Sequence, residues 1–190
     1  SWTYSGSVSQ VKLQYKSGAG AWTDIATVSA GASGKGLYNW QAPNAINSAV
    51  YIKVLDADSG HPVSVSPDSP QFRIKGKLIV DVPATGNEWV YQENRTITWT
   101  AVGSTGNVKV EYSTDDGNTW KTPAINDSAF TVSGTNNTQG WTIPDVVSST
   151  CRVRVSTTDG WQNVSAISGK FTIKGKLQIG YPVGGEVFTV

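Results

Sequence analysis

The chain has 190 residues, 15% of them charged, with a formal net charge of +1, one cysteine and no methionine. A balance so close to neutral, without a run of like charge, excludes the basic or acidic footprint of a nucleic-acid binder or a direct membrane partner. One cysteine excludes an internal disulfide, and no stretch approaches the roughly 18 apolar residues of a membrane helix. Few charges with about a fifth Ser and Thr suit an extracellular or cell-surface protein. The lack of methionine and of an N-terminal apolar run reads as a processed product or a window of a longer chain.

In chain order, the dominant pattern is a period of two. Val11, Leu13 and Tyr15 alternate with Lys12, Gln14 and Lys16, and further along come Ile52 with Val54, then Phe72 with Ile74. Past residue 77 the pattern repeats as Ile97 with Trp99, then Val108, Val110 and Tyr112 against Lys109, Glu111 and Ser113. It closes with Val153 and Val155, then Phe171 and Ile173. One buried and one wet face predicts half-buried strands, and no segment carries helical periodicity.

These segments are copies. Ile-Lys-Gly-Lys-Leu stands at 74–78 and again at 173–177; Trp2 matches Trp99, Trp22 matches Trp120, and Trp40-Gln-Ala-Pro43 matches Trp141-Thr-Ile-Pro144. The repeat is about 99 residues long, and its length drifts only in Gly/Ser/Asn-rich stretches such as 30–36, which marks those as surface loops. About seven short strands per repeat predict an all-β chain of two tandem antiparallel β-sandwich domains plus an orphan C-terminal strand. The boundaries follow the copies: 1–74 is a sandwich lacking its first strand, 75–173 is complete, and 174–190 is the first strand of a further repeat. The junction through Lys75-Gly-Lys77 is short, which predicts end-to-end domains with little bending.

Ile97-Thr-Trp-Thr100, Val108-Lys-Val-Glu-Tyr-Ser113, Asp116-Gly-Asn-Thr-Trp120, Trp141-Thr-Ile-Pro144 and Cys151-Arg-Val-Arg-Val155 together resemble tandem immunoglobulin-like or fibronectin type III-like repeats of prokaryotic cell-surface proteins. The resemblance covers nearly the whole chain, and Pro182-Val-Gly-Gly-Glu186 resembles the opening of such a repeat. It implies the sandwich fold; modules of this kind serve as spacers, adhesins, filament subunits and enzyme appendages alike.

Ser113-Thr-Asp-Asp-Gly-Asn-Thr-Trp120 also resembles the Asp box of β-propellers, but the period here is about twice a propeller blade. The segment is therefore read as a turn, with Asp115 and Asp116 capping backbone amides, Gly117 at positive φ and Trp120 packing behind. Asp56-Ala-Asp-Ser-Gly60 begins like a calcium loop without the later glutamate, so no metal is assigned. His61 is the single histidine, in a predicted loop and without a nucleophile motif, so neither catalysis nor a cofactor is expected. Cys151 heads an apolar alternation and is expected to be a buried small hydrophobe. Asn94, Asn126, Asn136 and Asn163 stand in glycosylation sequons, two or three of which about this composition supplies by chance. Most Trp and Tyr residues recur in both repeats, as core packing would require; Trp161 has no counterpart and is the candidate surface aromatic for glycans.

The two ends form one expectation. A first domain without its first strand leaves an apolar slot around Trp2, Tyr4 and Phe72, and the segment carrying Leu177, Ile179, Tyr181, Pro182, Val187, Phe188 and Val190 has the pattern to fill it. Donation of that strand to the next subunit predicts a head-to-tail filament of copies of the same chain. The alternatives are neighbouring repeats in one long covalent array of a surface-layer, stalk or adhesin protein, and a carbohydrate-binding accessory module.

Overall fold

The computed structural model describes residues 1–103, 105–121, 124–132 and 136–189, the backbone alone over 126–132. Among the described residues every regular element is a strand, and no helix is long and apolar enough to cross a membrane. The chain divides into two compact units, Ser1–Gly76 with Gly103–Thr105, and Lys77–Val102 with Gly106–Val190.

The first unit holds β1 (Trp2–Thr3), β2 (Gln10–Ser17), β3 (Thr23–Ser29), β4 (Lys35–Gly36), β5 (Asn47–Asp56) and β6 (Phe72–Ile74). They form a four-stranded sheet in the order β3-β2-β5-β6 and a two-stranded sheet, β1-β4. The alternation of β2 does what its sequence predicts: Val11 and Leu13 are buried and join Ala30 in a small core. Gly36 pairs with Trp2 in β4, and a Cβ there would lie 2.1 Å from the indole, so only glycine lets that ring cross the strand.

The second unit holds β7 (Lys77–Val82), β8 (Glu88–Val90), β9 (Asn94–Val102), β10 (Gly106–Ser113), β11 (Asn126–Val132), β12 (Asn137–Thr142), β13 (Ser148–Thr157), β14 (Ser165–Ile167) and β15 (Phe171–Lys174). One sheet runs β11-β10-β13-β15-β8 with β14 also on β13, and the facing sheet runs β12-β9-β7. Val108, Val110, Val153 and Val155 from one sheet meet Ile97, Trp99 and Ala101 from the other in one buried core. All pairings are antiparallel except β15 with β8, which run parallel.

That parallel pair arises because the chain changes sheets between β7 and β8. Val82-Pro83 is a cis peptide, and the following turn is closed by the Ala84 amide donating to Asn87 Oδ1 at 3.0 Å. Gly169 makes room for this turn, since a Cβ there would stand 2.3 Å from the Thr85 nitrogen. The first strand of the sandwich therefore serves both sheets.

Two side chains expected on the wet face are buried. Glu111 is held between Lys109 Nζ at 2.9 Å and Arg154 Nη2 at 2.7 Å. Burial opposes its charge, yet hydrogen bonds and charge from Lys109 and Arg154 keep its carboxyl below the usual range. Ser113 is enclosed because its hydroxyl accepts the Gly117 amide and donates to Asp115.

Candidate functional site: an open sheet face

β1 and β4 are two residues long, so the inner face of the β3-β2-β5-β6 sheet has little above it. Ile25, Ile52 and Val54 remain half-buried there, and with Trp2, Leu13 and Trp40 they line a cleft of about 180 Å³. A second cleft, about 310 Å³, opens beside Trp2, Tyr4, Val8 and Val65. The aromatic walls are fixed: Trp2 Nε1 donates to the Ala30 carbonyl at 3.1 Å, Tyr4 Oη to the Gly31 carbonyl at 2.9 Å, and Tyr15 stacks on Trp40 with centroids 5.2 Å apart. Of the three slot residues predicted, Trp2 and Tyr4 line these clefts; Phe72, half-buried on β6, lines neither.

Besides β3 and β4, two strand edges of this unit have no neighbour among the described residues. β1 pairs β4 on one side only, and β6 ends its sheet. In the second unit the copies of both edges are covered. There β7 lies against β9, the copy of β1, with Val80 opposite Trp99 and Ile79 opposite Thr100. β8 lies against β15, the copy of β6, with Trp89 opposite Ile173. Trp89 then packs at 4.8 Å on Phe171 and 5.9 Å on Trp141, the copies of Phe72 and Trp40.

The C-terminal segment bears the sequence of β7 and β8 without their structure. Residues 175–189 carry no strand, a correction to the strand expected there. Its physical reason is that a lone extended segment has no ladder partners and stays hydrated. Leu177 is 98% exposed, Val187 87% and Phe188 67%, with Ile179, Tyr181 and Val183 also open. The local turn is nevertheless formed: Tyr181-Pro182 is cis, and Glu186 accepts the Val183 amide at 2.8 Å as Asn87 accepts that of Ala84. Tyr181 and Phe188 meet edge to face at 5.9 Å across it. Val190 lies outside the described residues.

The remaining candidates are placed as follows. Asp115 accepts the Thr119 amide at 2.9 Å, and hydrogen bonds from Ser113 and Thr119 lower its pKa to about 2. Among the described residues Asp116 caps no amide, contrary to expectation; it sits at φ 62° and pairs with Lys170 and Arg152, which hold its carboxyl below the usual range. Trp120 packs behind the turn, where a Cβ at Gly117 would stand 3.5 Å from its ring, and lies outside the core: it is covered from outside by the Arg154 guanidinium at 4.2 Å, and Trp22 by Lys53 at 4.3 Å. A long cation with an aliphatic stem covers an aromatic face as a core would, which is why recurrence in both repeats was no guide to burial.

His61 Nδ1 lies 3.6 Å from both Asp56 and Asp58, the one group of side chains among the described residues spaced to hold a metal ion. Asp58 is already engaged, accepting the Ser9 hydroxyl and the Ser9 and Gln10 amides; these bonds keep its carboxyl low. The Ser9 hydroxyl thus donates to the Asp58 carboxylate rather than to the imidazole. Cys151 is buried, and burial pushes its thiol up, away from the reactive thiolate. Trp161 is half-buried. Of the sequons, Asn94, Asn136 and Asn163 are exposed; the Asn126 side chain lies outside those described.

No protein-family model matches the chain, and no curated protein matches its sequence. Among solved structures it is similar to the fibronectin(III)-like modules of Clostridium thermocellum CbhA, at 19% identity and TM-score 0.36, covering 92% of this chain and 81% of that one. It is also similar to a tetra-tandem repeat in the extending region of a large adhesion protein, at 17% identity and TM-score 0.38, covering 88% of this chain and 42% of that one.

Proposed function

We infer that the protein is a structural subunit of an extracellular filament or surface fibre, assembled head to tail. The C-terminal segment of one subunit completes the first unit of the next. The observation that carries this reading is the coincidence of an open apolar face with free edges at β1 and β6, and an exposed copy of the two strands that close the same face in the second unit. Pairing an extended segment onto a free edge satisfies main-chain groups and buries alternate side chains at once. Because donor and acceptor patches differ, the contact is heterologous and builds an open chain of copies rather than a closed dimer. The proposed role involves no catalysis, cofactor, nucleic acid or membrane insertion, and it places the rod outside the cell, where a low-charge, Ser/Thr-rich surface is at home.

Light scattering of the 20.2 kDa chain tests it. Multimers growing with concentration, abolished by deleting 177–190 while both units stay folded, support the proposal. A monomer at all concentrations overturns it. Mass spectrometry of native material separates the covalent alternative: a denatured mass far above 20.2 kDa replaces strand donation by neighbouring repeats in a single polypeptide. Glycan binding that Trp161→Ala removes would instead favour an accessory module.

A further inference from the structure

The second unit also gives the register of the contact. Resting on the strand-donation reading above, we propose that residues 177–189 of one copy straddle both sheets of the first unit of a second copy. The near half pairs antiparallel to β1, with Ile179 opposite Trp2 and Gln178 opposite Thr3. The far half pairs parallel to β6, with Phe188 opposite Ile74 and its ring against Phe72 and Trp40.

Two observations on different parts of the segment carry this register. First, each pairing repeats a ladder formed within the second unit: Val80 with Trp99, Ile79 with Thr100, and Trp89 with Ile173. The receiving aromatic is already set, since Tyr15 and Trp40 meet at 5.2 Å and 42° where Tyr112 and Trp141 meet at 5.0 Å and 44°. Second, the bulk at the sheet crossover is exchanged between the partners. In the second unit Thr85 carries the side chain and Gly169 has no room for one. In the proposed contact the copy of Gly169 is Pro70 and the copy of Thr85 is Gly184, so the segment is bare where the receiving face is filled. The turn itself favours glycine at 184, where φ is 109°, and a contact with Pro70 makes use of the same missing side chain.

Gln178 and Thr3 are both exposed, and their proposed pairing places them opposite one another, so cysteines report the register directly. The chain carrying Thr3→Cys and Gln178→Cys is expected to form a ladder of disulfide-linked multimers under mild oxidation. A chain with Ser5→Cys and Gln178→Cys, two residues out of step, is expected to stay at least ten-fold less cross-linked. Cys151 is buried and does not compete. Light scattering of the reduced proteins reads assembly independently of register. Assembly with cross-linking at Ser5, or at neither site, overturns the register and leaves donation standing; absence of assembly in the unsubstituted chain overturns both.

Discussion

Val153 and Val155 of β13 are completely buried, whereas Ile52 and Val54, in the same places on β5, are only half covered. The same contrast holds for Phe171 against Phe72 and for Trp141 against Trp40. The two units have the same strand pattern and the same aromatic pair, so the difference is not in the sheet that bears these residues. It comes from the facing layer: β12-β9-β7 over one sheet, and two strands of two residues over the other. A sandwich half is amphipathic whatever covers it, and its burial is a property of the pair of layers.

The largest effect expected from breaking this comparison is in the core. Phe171→Ala should destabilise the second unit by about 3–5 kcal/mol, whereas Phe72→Ala in the unassembled chain should cost only about 1–2 kcal/mol, because less contact is lost. Urea unfolding followed by tryptophan fluorescence would show two transitions, with only the respective one moved. Equal costs would mean that the two faces are equally closed in solution.

Next comes Phe188→Ala, which leaves both units untouched. Loss of one buried aromatic, about 1.5–3 kcal/mol, should weaken subunit association roughly ten- to hundred-fold by sedimentation, with unchanged unfolding of either unit. An unaltered association would remove Phe188 from the contact. Gly36→Ala should disturb the first unit alone, by about 1–3 kcal/mol, as its methyl group forces the Trp2 ring aside. The readout is a shift in the first unit's midpoint with the second's as internal control.

The smallest effect is that of pH. Asp115 has a folded pKa of about 2, below the 3.8 of a free aspartate, so its hydrogen bonds stabilise the second unit fully above about pH 4. That contribution is lost as pH falls from about 4 towards 2, where the folded-state carboxyl also protonates. Asp115→Asn should flatten this part of the unit's stability profile. The first unit has Lys16-Ser-Gly-Ala-Gly20 in place of this turn, and its own lowered carboxyls include Asp58, so Asp115→Asn should leave the first unit's profile unchanged.

Alternation made the strands legible, because a period of two places side chains on opposite faces irrespective of what lies beyond. Gly117, at φ 90°, was legible for the same local reason, and the chain's own repeat aligned the C-terminal segment with β7 and β8. Three things were not. Glu111 reads as a wet-face residue until the Arg154 guanidinium from β13 arrives beside it. Trp120 reads as core until that same guanidinium covers it from outside. The parallel pairing of β8 with β15 follows from the crossing at Pro83, which joins segments more than 80 residues apart.

The sequence by itself determined where strands and turns form, that they form twice, and that the last 17 residues repeat the first strand, since all of these are encoded in local residue types and their spacing. Which apolar residues are covered was decided only by the tertiary structure. Burial depends on a second layer supplied from elsewhere, and local pattern carries no information about whether that layer is present.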